Sequence, residues 1–103
     1  MRFIVHVAIP IEAGNKAAAS GKIGELFGQI LGDIKPEAAY FTAHDGKRGG
    51  ILVVDIDDVS EMPRIAEPFF LAFNAAVRFE PAMLPEDLQK GGSYIESAVK
   101  KYA

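Results

Sequence analysis

The sequence contains no cysteine and no tryptophan. The first absence removes disulfides, thiolate nucleophiles and cysteine-based metal sites. Histidine is scarce as well: His6 and His44 are the only two, and a zinc site takes three or four protein ligands. His44 and Asp45 in one turn do not reach that number, so no metal and no cofactor are expected. A surplus of positive charge is also missing, with eleven Lys and Arg against fourteen Asp and Glu and a net charge of −3. Nucleic acid asks for a basic face, and the only basic pairs are Lys47-Arg48 and Lys100-Lys101. No run approaches the roughly 20 apolar residues of a membrane helix. The opening MRFIVHVAIP is too short, and too interrupted at His6, for a signal peptide. The expectation is a cytoplasmic protein with neither nucleic acid nor membrane as partner. Phosphate-loop, Gly-x-Ser-x-Gly and His-Glu-x-x-His patterns are absent too.

What is present is a chain of 103 residues, half of them apolar and about a quarter charged. That suits one small folded domain over 1–103. Arg2 to Ile9 alternates and is β-branched, which predicts a strand. Pro10 and Gly14-Asn15 mark its exit. Ile23, Leu26, Phe27, Ile30, Leu31 and Ile34 then recur at helical spacing, with Gly32 as a terminal cap. Glu37 to Ala43 and Ile51 to Ile56 read as a hairpin around the turn HDGKRGG. Asp58 with Glu61, or Ser60 with Pro63, opens a second helix. That helix carries Met62, Ile65, Ala66, Phe69, Phe70 and Phe73, with a kink expected at Pro68 and a left-handed cap at Asn74. Ala75 to Met83 is a fourth strand. The remainder reads as a helical tail that starts at Pro85, breaks at Gly91-Gly92 and restarts on a Ser93/Glu96 capping box. Leu88, Ile95, Val99 and Tyr102 give it an apolar stripe.

The order β-α-β-β-α-β is the ferredoxin-like pattern, an α+β fold with a four-stranded antiparallel sheet. Strand residues alternate between faces. One parity is wholly apolar: Phe3, Val5, Val7 and Ile9; Leu52, Val54 and Ile56; Val77 and Phe79; Ala39, Phe41 and Ala43. These residues belong under the helices. The other parity mixes Ile4, Ile51 and Val53 with His6, Tyr40, Thr42, Asp55, Arg78 and Glu80. It is too apolar for a solvated face and too charged for a closed core. A second copy of the chain, related by a two-fold axis, is the simplest cover, since such an interface uses one patch on both partners.

Element order over nearly the whole chain, FIVHVAI and AAVRFEPAM as first and last strands, and the helical tail resemble the dimeric α/β-barrel superfamily, most of all its small uncharacterised bacterial members. Relatives there include muconolactone isomerases, stress-responsive barrel proteins and cofactor-free monooxygenases. The resemblance implies a homodimer whose two sheets pair and enclose a pocket for a small organic molecule. No characterised member's catalytic residues match here one by one. The residues of the mixed face supply the candidates. His6 is the proton-transfer candidate, with Asp55 as the carboxylate that fixes its tautomer. Arg78 suits a ligand carboxylate, Glu80 a base or orienting group, and Tyr40 a pocket wall or a donor to a carbonyl. Each also has a plainer reading: a hydrogen-bonded contact histidine, a turn cap at Asp55, an Arg78–Glu80 ion pair across an interface, and an interfacial tyrosine. On that plainer reading the chain is a non-enzymatic oligomerisation module.

Overall fold

The computed structural model describes residues 1–103 as an α+β fold with one four-stranded antiparallel sheet and five α-helices. This architecture is compatible with the ferredoxin-like pattern. The strands are β1 (Arg2–Ala8), β2 (Ala38–His44), β3 (Lys47–Asp55) and β4 (Ala76–Ala82). Their order is β2-β3-β1-β4, which places β1 and β3 in the middle. Helices α1 (Ile11–Ala19), α2 (Ile23–Ile34) and α3 (Met62–Phe73) cover one face, and α4 (Pro85–Lys90) and α5 (Gly92–Tyr102) follow β4. No helix is long and apolar enough to cross a membrane.

The β2–β3 hairpin is tighter than HDGKRGG suggests. The turn is Asp45-Gly46 alone, both at positive φ (51° and 75°), as a two-residue hairpin turn requires. His44 then pairs with Lys47, and β3 begins at Lys47 instead of Ile51. Two other boundaries also move. Gly14 and Asn15 lie inside α1, entered from Pro10. Helix α2 does not stop at Gly32: it runs on to Ile34, which is buried, and ends on Lys35 at φ 52° before Pro36. Burying one more apolar side chain outweighs the glycine preference at the cap.

Pro68 sits inside α3, and Asn74 caps that helix at φ 54°. Its entrance is built by charge. Asp58 accepts from the Ser60 amide at 2.9 Å, and Glu61 accepts from the amides of Asp57 and Asp58 at 2.8 and 3.2 Å. Glu61 also takes the Arg64 guanidinium at 2.9 Å. These bonds form a capping box that leads through the 3₁₀ turn Val59–Glu61 into α3. They hold the Asp58 carboxyl below the ordinary value, chiefly through the Ser60 amide, and the Glu61 carboxyl likewise, chiefly through the Asp57 amide. A depressed folded-state pKa gives stability that is present at neutral pH and lost as pH falls below the ordinary carboxylate range of about 4. Thermal melts of wild type and of Asp58→Asn/Glu61→Gln, followed from neutral to acid pH, are expected to converge at the acid end. A gap that persists undiminished into acid would show that the box contributes nothing through its charge.

The core lies between the sheet and α1–α3. Val5, Leu52, Ile56, Ile65, Phe69 and Phe73 are almost completely buried. Val77, Phe79 and Ala39 pack against this cluster as half-buried neighbours. Phe41 and Ala43 depart from the expected core: both are exposed, Phe41 by 53%. They lie toward the turn end of edge strand β2, where α2 supplies only Ile23 and Phe27 beside them.

The tail departs more. α5 starts at Gly92, so Ser93 is a helical residue and makes no capping box with Glu96. At α4 the Asp87 carboxylate does accept from the Leu84 amide at 2.9 Å. Beyond β4 no residue is buried, and Ile95, Val99 and Tyr102 face solvent. α5 touches little but α4. The radius of gyration is accordingly 17.3 Å, with a longest dimension of 59 Å, against about 13 Å for a compact chain of 100 residues.

Candidate functional site

Strand register turns the open face of the sheet into a lattice of rungs. One rung reads Tyr40–Ile51–His6–Arg78 across β2, β3, β1 and β4. The next, toward the hairpin turn, reads Thr42–Gly49–Ala8–Ala76. Three of its four residues are glycine or alanine, so the surface sinks there. The sequence places larger side chains on either side: His6 and Arg78 on one, His44 on the other. Two shallow hollows result, of about 120 and about 190 Å³, and His6, His44 and Arg78 line both. Thr42 joins the first hollow.

On the far side of His6 the rung is Ala38–Val53–Ile4–Glu80. Glu80 lies diagonally from His6 across the β1–β4 pair, within reach of a long side chain. His6 Nε2 pairs with Glu80 Oε1, and Arg78 Nη2 stands 3.6 Å from the same oxygen. The site thus brings a histidine, a carboxylate and a guanidinium together, with the Nε2 side of His6 toward Glu80. His6 is about a third exposed, and Arg78 is mostly exposed.

The expected Asp55–His6 pair does not form. Asp55 shares its rung with Arg2, four residues along the strands from the rung of His6, or about 13 Å at the usual strand rise. Asp55 accepts from the Met1 amine at 3.0 Å and lies 3.9 Å from Arg2 Nη2. The Met1 amine, then Arg2, hold its carboxyl below the ordinary value. Arg2 in turn bridges to Glu37 at 3.0 Å. Asp55 therefore joins a separate ion cluster at the other end of the sheet, and Glu80 is the carboxylate that His6 meets. Tyr40 shares the His6 rung but is 66% exposed and borders neither hollow.

His44 is the residue that sequence reading missed at this site. Placed in a long flexible turn, it has no defined direction. With the turn reduced to Asp45-Gly46, it is the last residue of β2, on the same face as Thr42 and His6. Its Nε2 lies 3.4 Å from Asp45 Oδ2. The Asp-Gly dipeptide, the strongest short hairpin signal, was the clue available. No group of three or more His, Asp or Glu side chains stands close enough together to hold a metal ion. What the arrangement offers is three basic side chains around a small depression, with Glu80 beside His6 and Arg78 and Asp45 beside His44. That suits a small polar or anionic organic group and a proton transfer to or from it. No protein-family model matches the chain, and no curated protein matches it.

Proposed function

We propose that two copies of this chain pair through their open sheet faces, as in a dimeric α/β barrel, and that the joined hollows bind a small organic molecule. His6 moves a proton, with Glu80 orienting it. Arg78 takes a carboxylate or other anionic group of the ligand, and Tyr40 contributes to the surrounding wall. The chemistry that fits is cofactor-free, either acid–base of the isomerase kind or oxidation of the monooxygenase kind.

The observation that carries this reading is the small rung Thr42–Gly49–Ala8–Ala76, sunk between His6, Arg78 and His44. Ile4, Ile51 and Val53 on the same face remain only half-buried in the single chain. Apolar surface of that kind gains by being covered. The projecting tail, with Ile95 and Val99 unpartnered, adds a second surface that an assembly would use.

The second reading, an oligomerisation module without a ligand, draws on the His6–Glu80–Arg78 cluster, whose charges offset one another. His6→Ala separates the two. Sedimentation at micromolar concentration should show a dimer for wild type and variant alike. A thermal-shift screen of aromatic and carboxylate metabolites should yield ligands for wild type that the variant no longer binds. Where a ligand turns over, the rate is expected to fall by about 10²–10⁴-fold, the usual share of general acid–base catalysis. A variant that merely weakens the dimer would favour the second reading. A monodisperse monomer would overturn both.

A further inference from the structure

The helix side of the sheet carries an opening of its own. There the rung Phe41–Gly50–Val7–Val77 has no side chain at Gly50, and the Phe41 ring lies over the bare backbone: a Cβ added at Gly50 would meet its Cδ1 at 3.3 Å. Between this part of the hairpin and α2 runs a cleft of about 440 Å³, walled by Ile23, Phe27, Phe41 and Ala43, with Arg48 also lining it. Clefts of roughly 300–1,000 Å³ hold small molecules. Phe27 and Phe41 stand 5.0 Å apart at 56°, and Phe27 is itself stacked on Phe73 at 4.7 Å, so the exposed Phe41 ring is the surface open to a further flat or extended group.

Arg48 sets the charge of the occupant. The other arginines each have a carboxylate: Arg2 has Glu37 at 3.0 Å, Arg64 has Glu61 at 2.9 Å and Arg78 has Glu80 at 3.6 Å. Arg48 has none. Its one side-chain bond runs from Nη1 to the neutral Oδ1 of Asn15 at 2.8 Å. That bond fixes the guanidinium and leaves its remaining N–H groups free. The side chain lies against α1 where Gly14 makes room, since a Cβ at Gly14 would stand 3.1 Å from Arg48 Nη1. A positioned, uncompensated guanidinium beside an apolar cleft calls for an anion with an apolar body.

We infer that this cleft binds a free organic carboxylate with an aromatic or short aliphatic body. The body lies on Phe27 and Phe41 and the carboxylate pairs with Arg48, whose planar fork matches it. The site is on the opposite side of the sheet from His6 and does not depend on pairing of the open faces.

The test uses octanoate and 4-phenylbutyrate as probes, with octanamide as the neutral counterpart, followed by amide chemical-shift changes in the full chain. The acids are expected to shift Phe27, Ala43 and Arg48 saturably, with half-saturation below about 1 mM, and octanamide to bind at least about tenfold more weakly. Arg48→Gln should remove that difference between acid and amide, and Arg48→Lys should restore part of it. Ile23→Asp puts a negative charge into the cleft from α2 without altering β3, and should abolish acid binding by itself. His6→Ala should leave it unchanged. Equal binding of acid and amide, shifts centred on His6 and Arg78, or no saturation up to about 10 mM would each overturn the inference.

Discussion

Gly49→Val is expected to cost the fold about 3 kcal/mol or more, a large share of what a domain of this size has. A Cβ built at Gly49 would lie 2.4 Å from the carbonyl oxygen of Val7. That oxygen belongs to central strand β1 and is not the loose end of a flexible side chain. Relief requires that β1 and β3 separate where Gly49 pairs with Ala8 and Gly50 with Val7, at the hairpin end of the two central strands. Overpacking a core ordinarily costs about 1–3 kcal/mol, occasionally more, and a clash with fixed backbone belongs at or above the top of that range. A domain of this size has about 5–15 kcal/mol in all, and here only 17 of 103 residues are buried, which argues for the lower end. Far-UV circular dichroism and urea melts would measure the loss. Gly28→Ala in α2 is the control: nothing lies within 4 Å of its added Cβ, and alanine in a helix interior gains about 0.5–1 kcal/mol over glycine. A Gly49→Val chain with a melt like wild type would mean that the strands do not approach as described. The small rung would then lose its structural explanation, because valine would fill the hollow at no cost.

Phe69→Ala is expected to cost about 3–5 kcal/mol, the usual penalty for removing a buried phenylalanine. Phe69 is 2% exposed and belongs to the cluster that joins α3 to β1 and β3. For a domain near 100 residues each kcal/mol lowers Tm by about 4–8 °C, so the melt should fall by more than about 12 °C. Phe70, its neighbour, is 40% exposed, and Phe70→Ala should change stability by less than about 1 kcal/mol. The pair tests the rotational setting of α3 on the sheet. Equal losses at both positions would show that α3 is turned relative to its described face.

The contrast between Phe69 and Phe70 was not readable from their chemistry, since both fall in one apolar stripe. Strand parity, by contrast, was legible wherever β-branched residues alternate. Phe3, Val5, Leu52 and Val54 were assigned to the helix side and are buried there. Phe41 and Ala43 obeyed the same parity but lie exposed on an edge strand, because parity gives a direction and not the extent of the helices above. At the site, Arg78 and Glu80 were placed on one face with His6 from spacing alone. Which carboxylate meets His6 depended on register. The β1–β4 pairing sets Arg78 opposite His6 with Glu80 on the diagonal, and the β1–β3 pairing sets Ile51 beside His6 and Asp55 with Arg2. No tight turn joins those strands, so their register follows from the packing of the whole sheet, which composition does not display.

The placement of the tyrosines decides how this molecule is seen in a spectrometer. With no tryptophan, its ultraviolet emission comes from Tyr40, Tyr94 and Tyr102, which are 66%, 80% and 86% exposed. None belongs to the interior, and two ride on the projecting helix. Intrinsic fluorescence will therefore report the fraying of that helix and events at the β2 edge, and will be nearly silent when Phe69 and Val5 lose their contacts. A denaturation curve recorded in that way would describe the periphery, whatever value it returned for the whole.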